Sequence, residues 1–168
     1  MKTAILLLHW GRPDNLENQL TKLNGSGRKD FDVVISNSNK KHDTQLRRVI
    51  KSVDTRFKIY YRLDSNELRG FRRFTISREL DYDRYIWLDD DVHFSQNLVT
   101  DMLGQYQANT YHSWYAWTIN SDDYHDRTRV ISHGQRIDYA GTGVSMIDRT
   151  IVDRPELYDA PPAAYYIE

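Results

Sequence analysis

The stretch "RYIWLDDDVHF" (residues 84–94) leads from an apolar run directly into three consecutive aspartates. The apolar part, 84–88, predicts a buried strand. Three adjacent carboxylates repel one another and have low strand propensity, so they need solvent or a counter-ion. Ligands of open α/β sheets bind at the carboxyl ends of the strands, so we interpret the aspartates as a binding site. The alternative interpretation is that polar residues simply end a buried strand in water.

Strand-like and helix-like segments alternate four times along the first two thirds of the chain. Apolar runs predict strands, and apolar residues at helical spacing predict helices between them. This order predicts an α/β fold with a mostly parallel sheet and helices on both faces. The predicted strands are 3–10, 31–36, 57–63 and 84–88; the predicted helices are 11–23, 43–53, 71–80 and a segment after Ser95.

The C-terminal third has a different pattern. Residues 113–119 predict a strand, 120–128 an exposed polar loop, and 129–147 short strands separated by glycine turns, so we expect a short mixed β region there. We expect one domain over 1–168. Its Pro-rich end, 154–168, lacks a capping element, and we expect the chain to be truncated there within a larger domain.

Composition excludes several classes of protein. The chain has 168 residues, a net charge of -1 and no cysteine. The balanced charge argues against a general nucleic-acid-binding protein. The absence of cysteine excludes disulfides and thiolate chemistry and fits a cytoplasmic protein. Apolar runs are far shorter than the roughly 18 residues of a transmembrane helix, so we expect no transmembrane segment.

The spacing of the aspartates suggests a metal ligand set. If the strand continued through them, Asp89 and Asp91 would point to one side, about 6.6 Å apart along the chain, and Asp90 to the other. Two carboxylates on one side suit Mg²⁺ or Mn²⁺, which complete their coordination with water and phosphate oxygens. The expected ligand is therefore a metal diphosphate.

Four segments, in order and spacing, resemble the nucleotide-binding half of GT-A-fold glycosyltransferases, close to family 2 with its DxD motif. They are "ILLLHWGRPDNLENQL" (5–20), "VVISNSN" (33–39), "RGFRRFTISREL" (69–80) and "DYDRYIWLDDDV" (81–92). The resemblance implies a GT-A-like (Rossmann-like) fold. It also implies that 1–107 bind the nucleotide sugar and that 108–168 form the sugar and acceptor side.

The resemblance assigns nucleotide contacts residue by residue. It places the base near the turn after the first strand and the ribose at the start of the aspartate triplet, and it matches Arg73 to the family's helix arginine. Three arginines within five residues around Gly70, close to the aspartates, suggest phosphate binding. Asp91, with Asp89, is the implied metal ligand. Trp10 fits core packing equally well, and Arg69, Arg72 and Arg73 also fit a solvated helix surface. The implied nucleotide contacts are His9, Trp10, Arg12, Asn37, Ser38, Arg69, Arg73, Asp89 and Asp90.

The sugar side is less well specified. "YAGTGVSMIDRTIV" (139–152) is similar to the glycine-rich segment that approaches the donor sugar, which implies contacts from Gly141, Thr142 and Gly143; a plain glycine turn is the alternative. Glu168 matches the first member of the family's acidic E-D pair and is the implied catalytic residue, but the Asp that follows it in the family and commonly acts as general base is absent, so we expect that the base is truncated away. The alternative is that Glu168 is an ordinary terminal carboxylate. The base is otherwise sought in the polar loop, at Asp122, Asp123 or Asp126.

The resulting hypothesis is a metal-dependent glycosyltransferase. It transfers a sugar from a nucleotide-diphosphate donor, UDP-sugar as the first choice, to a glycan or other hydroxyl acceptor, with inversion. Two other hypotheses remain. One is a sugar-nucleotide nucleotidyltransferase, although "HWGRPD" (9–14) is too short for its glycine-rich signature; the other is a non-catalytic nucleotide- or sugar-binding module.

Overall fold

Two β-sheets organise the computed structural model, which describes residues 1–123, 125–130 and 137–159. The larger sheet has six strands in the order β3-β2-β1-β4-β9-β5, and the smaller has three in the order β7-β6-β8. The first four strands are parallel, whereas β9 runs antiparallel to β4 and to β5. The strands are β1 (Thr3–His9), β2 (Phe31–Asn37), β3 (Ile59–Leu63), β4 (Arg84–Asp89), β5 (Tyr111–Ser113), β6 (Ala116–Ile119), β7 (Arg127–Arg129), β8 (Tyr139–Ala140) and β9 (Val144–Asp148).

Helices cover both faces of the large sheet. They are α1 (Asn15–Asn24), α2 (Asp43–Ser52), α3 (Arg72–Glu79), α4 (Leu98–Gly104) and α5 (Arg149–Val152), with 3₁₀ turns at Lys40–His42, Arg69–Phe71 and Pro155–Leu157. Apolar side chains of α1, α2 and α4 pack in one core cluster, and those of α3 and α5 pack in a second. Because the sheet lies between these clusters, its central strands are apolar on both faces.

The alternation of side chains along each strand builds the two clusters. In β1, Ile5 and Leu7 enter the cluster beneath α1, whereas Leu6 and Leu8 enter the cluster beneath α3. The same alternation holds in β4, where Trp87 is fully buried on the α3 side. A strand buried on both faces reads as a continuous apolar run, which is why these segments are recognisable from sequence.

The predicted α/β class, with a mostly parallel sheet, helices on both faces and a small mixed β region, is confirmed. The single predicted strand 113–119 is wrong, because the chain forms β5 and β6, which belong to different sheets. The Ser113 hydroxyl bonds both the N–H and the carbonyl oxygen of Tyr115, so a local side-chain turn interrupts the extended run. The strand β7 also begins inside the predicted loop 120–128.

Strand order determines where a ligand can enter. The chain passes from β1 to β2 and β3 on one side, then returns to place β4 on the other side of β1. Where the connections of two neighbouring parallel strands lead to opposite sides, a crevice forms at the carboxyl ends of these strands. In this sheet the two strands are β1 and β4. Within the described ranges, no helix is long and apolar enough to cross a membrane.

Candidate functional site

A cavity of about 510 Å³ lies at the carboxyl ends of β1 and β4. Its volume falls in the range of small-molecule sites. Opposite charges line its two sides, which we call the acidic wall (Asp89, Asp90 and Asp91) and the basic wall (Arg69, Arg72 and Arg73). The described residues that line it are Leu8, Trp10, Asn66, Arg69, Gly70, Arg72, Arg73, Asp89, Asp90 and Asp91.

The acidic wall differs from its expected geometry. Strand β4 ends at Asp89, and residues 90–91 form a turn in which the N–H of Val92 donates to the Asp89 carbonyl. Side-chain alternation therefore stops at Asp89, which corrects the expectation that Asp90 would point away from its neighbours. All three aspartates line the same cavity.

Two amide side chains of α1 hold this turn in place. Asn15 donates from Nδ2 to the carbonyl oxygens of Asp90 (2.8 Å) and Val92 (3.1 Å), and Gln19 donates from Nε2 to that of Asp89 (2.8 Å). The sequence-based assignment missed both residues. A signal was present: Asn15 and Gln19 are four residues apart and border the apolar helix face, and Gln19 is fully buried. Buried amides at such positions bond a neighbouring backbone.

Asp90 binds the loop that follows β1. Its Oδ2 accepts the backbone N–H groups of Trp10 (2.9 Å), Gly11 (2.7 Å) and Arg12 (2.9 Å). Burial acts to raise the pKa of Asp90, but these three bonds outweigh burial and lower the pKa below its ordinary value. Asp90 is thus an internal anion that fixes the loop carrying Trp10.

Asp89 forms an ion pair with Arg73. The Arg73 side chain is only 6% exposed, and its three nitrogens donate to Asp89 Oδ1 (2.9 Å) and to the carbonyl oxygens of Gly70 (2.8 Å) and Thr142 (2.7 Å). Burial raises the pKa of Asp89; the charge of Arg73 opposes this rise, and the charges of Asp91 and Asp90 add to it. Arg73 therefore joins the two walls to the segment before β9.

Asp91 is the most exposed member of the acidic wall. Its side chain is 54% exposed, and its Oδ2 lies 3.0 Å from Nη1 of Arg12, which is also largely exposed. The described residues contain no group of three or more side chains able to hold a metal by themselves. Mg²⁺ and Mn²⁺ commonly bind one or two carboxylates and take their remaining ligands from phosphate and water. The assignment of Asp91, with Asp89, to a metal of that kind stays a prediction.

The predicted contacts near β1 and β2 divide into accessible and buried residues. Trp10 is 58% exposed and lines the cavity, so its ring is available to stack on a planar ligand. His9 and Asn37 are at most 1% exposed and do not line the cavity, which corrects the expectation that their side chains contact the nucleotide directly. Asn37 instead donates to the Tyr61 hydroxyl (3.0 Å) and accepts the N–H of Asn39 (2.9 Å).

His9 has an unusual environment for an ionisable side chain. Its Nε2 pairs with Gln19 Oε1 at 3.1 Å, and its buried Nδ1 has no hydrogen-bond partner in the described part of the chain. Because Gln19 donates from Nε2 to the Asp89 carbonyl, its Oε1 accepts from His9, which assigns the proton to Nε2. Burial lowers the pKa of His9 to about 4, so the ring is neutral at pH 7.

Two further predicted contacts lie near the basic wall. The Ser38 hydroxyl donates to Oδ1 of Asn66 at 3.3 Å, and Asn66 lines the cavity. Arg69 lines it too, with a φ of 39°, which is uncommon outside glycine. Strained backbone of this kind is concentrated at functional sites.

The segment Gly141, Thr142 and Gly143 lies beside the acidic wall. The N–H of Asp89 donates to the Gly143 carbonyl at 3.0 Å. A Cβ atom added to Gly143 would come within 3.1 Å of Asp89 Oδ2, so the absence of a side chain allows this close approach. At Gly141 an added Cβ would lie 3.0 Å from the Trp117 ring.

The candidates for the catalytic base that the structure describes do not line the cavity. Glu168 lies outside the described residues. Asp122, Asp123 and Asp126 are exposed and do not line the cavity. Asp126 accepts from the side chain of Asn120 at 3.1 Å, and Asp123 accepts the N–H of His125 at 2.9 Å. The assignment of a base therefore stays a prediction.

Comparison with known proteins supports the fold. No family model matches the sequence, and neither does any curated protein. Solved structures similar to this chain include HddC from Yersinia pseudotuberculosis, with 14% identity and a TM-score of 0.58 over 90% of this chain and 80% of that one. The mannosyltransferase PcManGT from Pyrobaculum calidifontis, in complex with GDP-Man and Mn²⁺, has 10% identity and a TM-score of 0.65 over 95% of this chain.

A third similar structure is 4-diphosphocytidyl-2C-methyl-D-erythritol synthase from Anaerococcus prevotii, with 12% identity and a TM-score of 0.55. That match covers 99% of this chain and 82% of the synthase, whereas this chain spans only 47% of the mannosyltransferase. At such identities the likeness is one of fold. The predicted GT-A-like α/β fold is therefore confirmed, and membership of family 2 stays a prediction.

Proposed function

We propose that the protein is a glycosyltransferase that moves a sugar from a nucleotide-diphosphate donor to an acceptor hydroxyl. The observation that carries this proposal is the cavity after β1 and β4, where an acidic wall faces a basic wall beside an exposed Trp10. Carboxylates suit a divalent metal, guanidinium groups suit phosphate, and an aromatic ring suits a base. A nucleotide diphosphate needs all three.

The donor's diphosphate would lie between the walls. Asp91, with Asp89, would hold Mn²⁺ or Mg²⁺ together with the phosphates, and a bound metal would neutralise charge on the departing diphosphate. The chain's own residues bind and orient. Asp90 holds the loop of Trp10 by three backbone bonds, and Arg73 fixes Asp89 against the segment before β9.

The finer assignments continue the sequence-based hypothesis. UDP is the first choice of nucleotide, the acceptor is a glycan or another hydroxyl compound, and transfer proceeds with inversion. Gly141, Thr142 and Gly143 are proposed to face the donor sugar, because their backbone is bonded to Asp89 and Arg73. Glu168 is proposed as a catalytic residue; the base that removes the acceptor proton is not assigned to it.

Calorimetric titration of UDP and GDP, with and without Mn²⁺, tests donor binding. We expect Mn²⁺ to tighten binding at least tenfold and Asp91→Ala to remove that gain. Asp54→Ala is the matched control, because it removes an exposed aspartate away from the cavity. If the nucleotide affinity changes neither with Mn²⁺ nor with Asp91→Ala, the metal dependence of the proposal is refuted. Release of UDP from UDP-sugars in the presence of acceptors then tests transfer, and binding without any turnover would favour a non-catalytic module.

A nucleotidyltransferase is the second candidate, favoured by the 82% coverage of the A. prevotii synthase. Against it, the amides of the loop after β1 already bind Asp90, so they are not available to bind a nucleoside triphosphate. Pyrophosphate release from nucleoside triphosphates with sugar 1-phosphates distinguishes the two activities. Release at a rate above that of UDP-sugar consumption would replace the glycosyltransferase proposal.

A further inference from the structure

Two adjacent arginines of the basic wall have different degrees of hydrogen bonding. All three nitrogens of Arg73 donate to fixed acceptors, one of them the Asp89 carboxylate. Arg72 donates from Nη2 to the His9 carbonyl at 3.1 Å, and its buried Nε has no partner among the described residues. Both are at most 6% exposed, so burial alone does not explain the difference.

An incompletely bonded buried guanidinium is unusual, because buried donors nearly always have acceptors and a buried charge needs a partner. Among the acidic groups that act on the pKa of Arg72, Asp64 has the largest effect and Asp89 and Asp90 have smaller ones, while the charge of Arg73 acts in the opposite direction. Asp64 is already engaged: its Oδ2 accepts from the Ser36 hydroxyl (2.7 Å) and its Oδ1 from Arg62 (2.7 Å). Within the described part of the chain, Arg72 therefore lies at the cavity without an ion pair of its own.

The energetic consequence appears in the pKa of Arg72, which burial lowers to about 10. A guanidinium whose charged form is disfavoured by burial gains from an anionic ligand, which restores the missing acceptor and charge. Arg72 also lines the cavity, together with Asn66 and Gly70 on the same side. An anion that enters the cavity on this side can therefore bind the Arg72 guanidinium without first displacing an internal carboxylate.

We propose that Arg72 forms a phosphate-binding subsite that works without a divalent metal. It receives a phosphate oxygen of the diphosphate, whereas Arg73 is a positioning residue held by Asp89. The inference rests on the proposed function in that the diphosphate is that of the donor. Inorganic pyrophosphate carries the same chemistry without base or sugar and serves as the probe.

The first experiment measures pyrophosphate binding by calorimetry in the presence of EDTA. We expect Arg72→Gln to weaken binding at least tenfold, and Arg72→Lys to weaken it less because Lys retains the charge but not the planar fork. Arg48→Gln, which removes an exposed arginine of α2, is the control and keeps wild-type affinity.

A second measurement uses the unmodified protein and does not depend on the folding of a variant. Pyrophosphate added in EDTA shifts the Arg72 Nε–Hε signal in a ¹H–¹⁵N spectrum, assigned by its loss in Arg72→Lys. An unshifted signal at saturation, or equal affinity of Arg72→Gln and wild type, would overturn the proposal. If the Arg72→Gln variant transfers sugar with an unchanged KM for the donor, the phosphate subsite at Arg72 is overturned and the proposed function is not affected. If pyrophosphate binds through Arg72 but no sugar transfer is detected, the subsite stands and the proposed glycosyltransferase function is overturned.

Discussion

The two walls of the cavity carry opposite charges and differ in how those charges are compensated. In the acidic wall each carboxylate has a partner from the chain: Arg73 for Asp89, three backbone N–H groups for Asp90 and Arg12 for Asp91. In the basic wall, Arg73 is saturated and Arg72 is not.

This difference indicates what each wall contributes. Asp90 is structural, and the pair of Asp89 with Arg73 has a structural role besides the metal contact proposed for Asp89, because these groups bind the loop after β1 and the segment before β9. Asp91 is exposed and Arg72 is under-bonded, so these two have capacity left for a ligand. A cation at one and a phosphate at the other would complete the site.

The largest expected effect on stability comes from removing the structural carboxylate. Asp89→Ala leaves the buried Arg73 charge without its counter-charge, and we expect it to lower the free energy of unfolding by about 4 kcal/mol. Asp91→Ala removes a carboxylate whose partner is exposed, and we expect a loss below about 1 kcal/mol. Urea denaturation of both variants measures the contrast. Equal losses would mean that the two carboxylates do not differ in structural role.

The fold was predictable because its signals are local. Buried parallel strands appear as continuous apolar runs, and β1, β2 and β4 were found within two residues of their ends. The β5 and β6 region was not predictable in the same way, since the interruption depends on one hydroxyl, that of Ser113, bonding the backbone of Tyr115. A serine in an extended run has no distinctive pattern.

The site was only partly predictable, because burial depends on tertiary packing. The aspartate triplet and Trp10 were identified from sequence and line the cavity. Nothing local distinguishes His9, which is buried, from Trp10, which is exposed. Arg72 and Arg73 are likewise consecutive residues of one helix. Their roles separate only because α3 directs Arg73 to Asp89 and to the Thr142 carbonyl, which are far away in sequence.

His9 is linked by hydrogen bonds to both walls, and we expect its protonation to make the stability of the protein depend on pH. Its carbonyl accepts from Arg72, and its ring pairs with Gln19, which bonds the Asp89 carbonyl. The pKa of His9 falls from 6.5 to about 4 on folding, so the unfolded chain binds more protons between these values. Stability should therefore fall as the pH drops from 6.5 to 4, by about 3 kcal/mol from this group.

Denaturation curves for wild type and His9→Gln across that pH range test the effect. The substitution removes the titrating ring, so it should also remove the decrease in the free energy of unfolding that we attribute to this ring. The contributions of the other titrating groups are the same in both proteins and cancel in the difference. His93→Gln, which removes an exposed histidine, keeps the wild-type dependence. Parallel curves for wild type and His9→Gln would contradict the assignment of a buried neutral ring.

Asp90→Ala should have a smaller effect, because the amides that it frees lie on an exposed loop where water replaces the carboxylate. We expect a loss of about 1–2 kcal/mol and faster hydrogen exchange at the amides of Trp10, Gly11 and Arg12. Hydrogen exchange followed by NMR measures each amide separately. Unchanged exchange at these three positions would show that Asp90 does not hold the loop.

The smallest effect is expected for Arg12→Ala, and it tests whether the acidic wall has capacity for a metal. The pair of Arg12 and Asp91 is exposed on both sides, so the free energy of unfolding should change by less than about 1 kcal/mol. Because Arg12 competes for the Asp91 oxygen, its removal should raise the affinity for Mn²⁺ without nucleotide by about two- to fivefold. Titration followed by the electron paramagnetic resonance of free Mn²⁺ measures this affinity.

Arg28→Ala, which breaks an ion pair with Asp30 outside the cavity, is the control. Equal Mn²⁺ affinities in all three proteins would mean that Arg12 and the metal do not share Asp91, and the metal would then have to be assigned to another residue of the wall.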